Sequence, residues 1–329
     1  MNSFGKIFRI SVFGESHGTS VGVIIDGCPA GLPLVFSDFE VDFNRRRSGA
    51  KGTTPRKEAD IPRIMSGVFN DHTTGAPLTI FFENTNTRSR DYAALHDTPR
   101  PGHADFVATK KFGGYEDYRG GGHFSGRLTL ALVAAGVIAK KLIGPVEVGA
   151  QILEVGGNPN IEEAIDQAVE KQDSLGGIVE CTATHMPVGL GEPFFDSVES
   201  VLSHMLFSIP AIKGVEFGSG FAAAKMWGSE HNDKFISVQG KTSTNYAGGI
   251  NGGISNGNDL VVRVAVKPTS STHQKQRTIN TKTGKMIDLE IEGRHDTCIA
   301  LRVPVVVEAA TAIVLADFMI QEGVIDRRL

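Results

Sequence analysis

Apolar and polar side chains alternate over residues 8–13 (F-R-I-S-V-F), whereas residues 21–26 (V-G-V-I-I-D) form an almost unbroken apolar run. The two patterns predict a pair of strands joined by the polar loop Gly14-Glu15-Ser16-His17-Gly18. Residues 78–83 (L-T-I-F-F-E) predict another buried strand, and residues 178–184, 214–217 and 260–266 predict three more, with Gly/Asn-rich turns between them. Residues 126–143 are Ala- and Leu-rich and apolar on nearly all sides, which predicts a buried helix with Ser125 as N-cap and Gly144-Pro145 as the stop. Residues 161–172 place Ile161, Ile165, Ala168 and Val169 on one face of an amphipathic helix. Asp196 and Glu199 have capping-box spacing ahead of Val198, Val201, Leu202, Met205 and Leu206, a third helix. Residues 305–321 repeat the apolar, Ala-rich character of the first. Residues 45–58 (R-R-R-S-G-A-K-G-T-T-P-R-K-E) read as a mobile basic loop, and residues 84–122 as a second irregular region.

Strands lead into a buried Ala-rich helix twice, which suggests pseudo-duplicated halves. Turns, rather than regularly alternating helices, separate the strands. The expected fold class is therefore α+β, with antiparallel sheets in a single domain spanning residues 1–329.

Composition sharpens this picture in three ways. Glycine occupies 39 positions, well above the usual share of about 7%, yet it clusters between apolar segments instead of forming a disordered tract. The formal charge of -4 argues against general nucleic-acid binding. Cys28, Cys181 and Cys298 are odd in number and lack metal-ligand spacing, so buried thiols in a reducing compartment are expected, with no metal site. The first residues carry no signal-peptide pattern, and no apolar run approaches the ~18 residues of a membrane span. A soluble, cytoplasmic protein with no membrane partner is the expectation.

Three histidines sit in Gly/Pro-rich loops: His17 in G-E-S-H-G, His103 in R-P-G-H-A-D and His295 in G-R-H-D. Each loop also holds a hydroxyl or carboxylate, namely Ser16, Asp105 and Asp296, and a histidine pKa near about 6.5 suits proton transfer. Arg45, Arg46, Arg47, Arg100, Arg119 and Arg294 lie in the irregular segments, and the first three have no acidic sequence neighbours. Arginine's planar fork suits phosphate and carboxylate. Lys267-Pro268-Thr269-Ser270-Ser271-Thr272 follows a strand and offers a cation, hydroxyls and backbone N–H groups to phosphate oxygens. The glycines of residues 248–257 permit close backbone approach. Together these residues describe a cleft for a polyanionic small molecule. The alternative is a non-catalytic phosphate- or RNA-binding protein using the basic loop from Arg45 to Arg47, weakened by the scarcity of aromatics for base stacking.

On these residues the sequence resembles the chorismate synthase family. The likeness runs the whole chain, from G-K-I-F-R through G-E-S-H-G, R-R-R-S-G, E-N-T-N-T-R-S-R-D-Y, R-P-G-H-A-D, D-Y-R-G-G-G, G-L-G-E-P, K-G-V-E-F-G, G-G-I-S-N-G and K-P-T-S-S-T to G-R-H-D-T-C. The resemblance implies a lyase with a β-α-β sandwich fold, assembled as a homotetramer. Its implied reaction is the anti-1,4-elimination of phosphate from 5-enolpyruvylshikimate 3-phosphate to give chorismate, the last step of the shikimate pathway of aromatic amino acid biosynthesis. Reduced FMN is required without net redox change, and NADPH enters only as a reductant of the flavin. By the same resemblance His17 matches the general acid toward phosphate and His103 the histidine beside the flavin, while Asp296, with Ser16 and Ser125, matches a proton relay. FMN contacts map to His123, Phe124, Ser125, Pro210, Ala211, Gly252, Lys267, Pro268, Thr269, Ser270, Ser271 and Arg294. Substrate or NADP contacts map to Arg45, Arg46, Lys51 and Arg127.

The chain also departs from the family pattern. His123-Phe124-Ser125-Gly126-Arg127-Leu128-Thr129 stands where R-S-S-A-R-E-T is typical, and Pro210-Ala211 replaces Asn-Ala. The stretch after Ile143 is shorter than usual.

Overall fold

The computed structural model describes residues 1–54, 58–86, 96–291 and 295–329. A five-stranded antiparallel sheet comes from β1 (Ser3–Phe4), β2 (Arg9–Gly14), β3 (Ser20–Asp26), β4 (Arg63–Ser66) and β7 (Leu78–Glu83), in the order β1-β2-β3-β7-β4. A small hairpin, β5 (Val68–Phe69) and β6 (His72–Thr73), precedes β7. The second sheet orders β8 (Glu147–Val155), β9 (Gly177–Thr184), β10 (Ile212–Phe217) and β13 (Leu260–Val266) as β10-β13-β9-β8, also antiparallel. Two further hairpins, β11 (Ile250–Asn251) with β12 (Ile254–Ser255) and β14 (Gln276–Ile279) with β15 (Met286–Leu289), complete the strands. The helices are α1 (Glu40–Arg46), α2 (Asp105–Phe112), α3 (Thr129–Leu142), α4 (Ile161–Glu170), α5 (Val198–Ser208), α6 (Gly228–His231) and α7 (Pro304–Gln321).

Period-two alternation gives each strand one inward face. Val21, Val23 and Ile25 on β3 and Leu78, Ile80 and Phe82 on β7 are buried, as are Val179, Cys181 and Ala183 on β9 and the even-numbered residues of β13. Between the two sheets lie α3 and α7, packed along each other, α3 against the first sheet and α7 against the second. Small residues allow this approach: a Cβ on Gly136 would stand 2.3 Å from Ala309 Cβ. The expected β-α-β sandwich is therefore the observed one. By length and hydropathy α7 would also suit a membrane span, contrary to the sequence expectation, but 89% of it is buried inside the protein.

Other expectations need correction. Ser197, not Asp196, caps α5, its Oγ accepting from Ser200 N at 3.1 Å. The basic segment begins inside α1, because Phe39 and Phe43 bury that turn against the core. α2 lies in the stretch read as irregular, and β8 was missed because Gly149 and Gln151 break its apolar signal.

Two carboxylates on apolar α7 tie the sandwich to its loops. Asp317 accepts from the backbone N–H groups of Lys6, Ile7 and Phe8 at 2.8, 2.8 and 2.9 Å, which fixes the N-terminal segment. Glu308, 2% exposed, accepts both Nη atoms of Arg45 at 2.6 and 2.7 Å, Lys140 Nζ at 2.7 Å and Ala150 N at 2.8 Å. Burial pushes the Glu308 carboxyl up, but Arg45 and Lys140 outweigh it and hold the group below its usual value. Its contribution to stability is thus present above the ordinary glutamate pKa of about 4.3 and lost as pH falls below it. Glu308→Gln is expected to destabilise the protein by about 3–5 kcal/mol at neutral pH. In denaturant titrations the gap from wild type should narrow below about pH 4; a gap independent of pH would contradict this.

Candidate active site

The loops at one end of the sandwich enclose a cleft of about 1100 Å³. Among the described residues its walls carry seven Lys or Arg side chains (Arg46, Arg47, Arg100, Arg127, Lys213, Lys267, Arg302) against three carboxylates (Glu58, Asp60, Asp296). This surplus stands in a chain of net charge -4, so the positive charge has been gathered locally.

Two histidines are seated on a glycine turn. Gly120, Gly121 and Gly122 have φ of 60°, 79° and 52°, a left-handed run that only glycine adopts readily. A Cβ on Gly120 would lie 2.6 Å from His17 Cδ2 and 2.9 Å from Ser16 Oγ, and one on Gly121 would lie 3.3 Å from His103 Cε1. Ser16 N donates to Gly122 O at 3.0 Å, joining this turn to the loop after β2. Both His17 and Ser16 are buried.

His103 Nδ1 lies 2.5 Å from Asp105 Oδ1. Because an ionised carboxylate only accepts, the proton belongs on Nδ1 and Nε2 is the atom available for chemistry. Burial would raise the Asp105 carboxyl, but hydrogen bonds from Arg100 and His103 more than offset it and hold the group well below its usual range. Arg100 donates from Nε and Nη2 to Asp105 at 2.8 Å each, and from Nη1 to Ser271 Oγ at 3.1 Å. Ser270 Oγ donates to Gly102 O at 2.8 Å, so the histidine loop and the segment after β13 form one wall. Lys267 Nζ donates to Ser270 Oγ at 2.8 Å; burial, then the charge of Lys213, lowers its pKa.

Another part of the lining is a cluster of guanidinium groups. Arg46 is 2% exposed and donates from Nε to Thr129 Oγ1 at 3.1 Å and from Nη2 to Gly126 O at 3.1 Å. Burial, followed by repulsion from Arg302, pulls its pKa down to about 9, which leaves it cationic at neutral pH. Asp60 faces Arg46 and pairs with Arg127, while Asp296 accepts from Thr54 N at 2.8 Å and from Arg302 at 3.4 Å. Arg127 Nη2, Ser16 Oγ and Thr269 Oγ1 are buried polar atoms with no hydrogen-bond partner among the described residues. All three residues line the cleft. Unmet buried donors are rare in proteins, and a bound polar ligand satisfies them.

The cleft assembles most of the residues singled out from sequence. Ser16, His103, His123, Phe124, Ser125, Arg46, Arg127, Pro210, Ala211, Lys267, Pro268, Thr269, Ser270, Ser271, His295 and Asp296 line it; His17 is not among the lining residues, although it meets the same face of Gly120 as Ser16. His123 bonds Gly14 O at 2.8 Å and Asn2 Oδ1 at 3.2 Å, and Phe124 packs on Phe112. Arg45 is not brought there: its fork is taken by Glu308, so the expected basic loop offers no three-arginine surface. Lys51 pairs with Asp166 away from the cleft. Gly252 caps the β11–β12 hairpin, with nothing within 4 Å of its would-be Cβ. Its neighbours serve packing, Gly248 against Gly218 and Gly253 against Ser197. Arg294 lies outside the described residues.

Sequence reasoning missed Asp60, Asn84, Arg302, Lys213 and the N-terminal residues Met1–Phe4 that also line or support the site. Asn84 lay within the quoted E-N-T-N-T-R segment and Lys213 opens the quoted K-G-V-E-F-G; Asp60, Arg302 and the first four residues carried no local signal. The cysteines are free and buried; burial pushes Cys28 and Cys181 up to about 12, so neither is a nucleophile.

A layered α+β fold whose loops set histidines and surplus guanidinium groups around one deep cleft defines an enzyme of small polyanionic substrates. A profile of the chorismate synthase family matches residues 8–320. A chorismate synthase of Chitinophaga pinensis is 66% identical over 98% of this chain and 97% of its own length. One from Methanocaldococcus jannaschii is 45% identical over 99% and 98%. A crystal structure of chorismate synthase superimposes with a TM-score of 0.73 at 27% identity, covering 97% of this chain and 93% of that one. The chain belongs to the chorismate synthase family and is a lyase of aromatic biosynthesis.

Gly120→Ala is expected to slow turnover by at least about 10²-fold by displacing His17. Gly114 also has positive φ (84°) but nothing within 4 Å of its would-be Cβ, so Gly114→Ala should share the backbone strain of about 1–2 kcal/mol and retain activity. Equal kcat in the two variants would refute the seat.

Proposed function

We propose that this chain converts 5-enolpyruvylshikimate 3-phosphate to chorismate by anti-1,4-elimination of phosphate and a ring hydrogen, with reduced FMN in the same cleft. The observation that carries the reading is the trio of buried unmet donors, Ser16 Oγ, Arg127 Nη2 and Thr269 Oγ1, spread over the lining of a strongly cationic cleft. Such a site fits a polyanion and a polar, flat cofactor. His123, Phe124, Ser125, Pro210, Ala211 and residues 267–271 would hold the flavin. Reduced FMN, when bound, supplies an electron-rich ring that assists phosphate departure and is regenerated, with no net redox change.

The chain's own residues do the rest. Arg46 and Arg127 bind anionic oxygens and neutralise charge as it develops on the leaving phosphate. His17, held by Gly120, delivers a proton to that phosphate. His103, held by Asp105 through Nδ1, keeps Nε2 free on the cleft lining, where it would help hold the flavin and balance negative charge on it. Asp296, with Ser16 and Ser125, takes the ring proton toward solvent. Leu128, Leu132, Val303 and Val306 add apolar side chains to the lining, which lowers the local dielectric and strengthens each of these interactions.

The flavin is read as reduced elsewhere, with NADPH only as its reductant. The buried free thiols support a reducing, cytoplasmic setting. Exposed Phe194, Phe195, Phe221, Trp227 and Phe235 support assembly as a homotetramer.

Under anaerobic conditions with reduced FMN, the protein is expected to release phosphate from the substrate while sedimenting as four chains. His17→Ala and His103→Ala should each slow turnover by roughly 10²-fold or more. Equal activity without flavin, or wild-type rates in both variants, would sink the mechanism.

A further inference from the structure

The guanidinium of Arg127 is fixed from two sides and offered on the third. Its Nε donates to Asn84 Oδ1 at 3.1 Å, and its Nη1 pairs with Asp60 Oδ1. Its Nη2 is buried without a partner among the described residues, and the residue lines the cleft. Because the guanidinium is a rigid plane, holding Nε and Nη1 determines where Nη2 points.

Both anchors are themselves held. Asn84 Nδ2 donates to Glu15 O and Gly18 O at 3.0 Å each, which settles its amide orientation and ties it to the loop carrying His17. Asp60 is 5% exposed and has φ of 50°, a left-handed conformation unfavourable to most side chains but tolerated by Asp and Asn. Its second oxygen faces Arg46 Nη1 at 3.5 Å. One carboxylate thus separates two buried guanidinium groups that would otherwise repel each other, and leaves one net positive charge for a ligand. An arginine with a purely architectural role would satisfy its remaining donor within the protein.

We propose that Asp60 and Asn84 are positioning residues for the elimination, aiming Arg127 Nη2 at an anionic oxygen of the substrate while Asn84 keeps that contact in register with His17. This rests on the reading of Arg127 as a substrate-binding residue.

Anaerobic kinetics of the full chain with reduced FMN test it, using Asp60→Asn, Asn84→Ala and Arg127→Lys alone and each of the first two combined with the third. Asparagine keeps the shape and the left-handed backbone of Asp60 but removes its charge. Lysine keeps the charge of Arg127 but cannot bridge Asp60 and the cleft at once. Each single variant is expected to lower kcat/KM about tenfold or more and to weaken competitive inhibition by inorganic phosphate to a similar degree. Each double variant should be within about twofold of its worse parent, as for residues acting as one unit. Losses that multiply would overturn the positioning role and leave the reading of Arg127 intact. Wild-type kinetics and phosphate inhibition in Arg127→Lys would instead overturn that reading. Should Asp60→Asn fail to fold, the Asn84 pair decides alone.

Discussion

The site depends on positive charge held out of water. Arg46 and Arg127 are buried and Arg302 largely so, and among the described residues Asp60 and Asp296 are the carboxylates seen paired with them. Desolvating an ion carries a penalty of several kcal/mol, so such a cluster persists only where surrounding structure enforces it. The enforcement here comes from the core. Arg45 anchors α1 to Glu308 in the second turn of α7, and the next residue, Arg46, is thereby carried into the cleft. A ligand with several negative oxygens completes the cluster, and this connects the packing of the sandwich to the chemistry of its loops.

That connection explains the fates of three consecutive arginines. Successive residues on a helix point about 100° apart. Arg45 accordingly reaches α7 and Arg46 turns into the cleft, while Arg47, just past the helix, is exposed on the cleft lining and bonds Asn44 and Ala59 O. In the sequence the three look alike. Strands β3, β7, β9 and β13 and helices α3 and α7 were legible because burial leaves a local apolar pattern, alternating or continuous in the strands and nearly all-round in the two helices. Asp60 and Asn84 were not, since their partner Arg127 lies 67 and 43 residues away and no local pattern records it.

Glycine shows the same division. At Gly120 and Gly121 the space a side chain would fill is taken by His17, Ser16 and His103, and at Gly122 by the backbone of Asp117. Of the five glycines in residues 248–257, Gly248 and Gly249 sit against backbone, Gly253 and Gly257 meet Ser197 and Val188, and none is among the residues that line the cleft. Composition registers both as one excess; only the three-dimensional neighbours separate them. His123 and Phe124, which differ from the family pattern, keep their places on the cleft wall, with His123 bonded to Gly14 O and Asn2 and Phe124 packed on Phe112.

If the buried guanidinium cluster is what selects the ligand, the phosphate should dominate binding. Isothermal titration of the flavin-free protein with 5-enolpyruvylshikimate 3-phosphate and with its dephosphorylated counterpart tests this directly. The phosphorylated compound is expected to bind at least about 100-fold more tightly, as expected when charge-assisted hydrogen bonds to buried arginines are lost. Equal affinity for the two would show that the cluster is architectural and that the anion is recognised elsewhere.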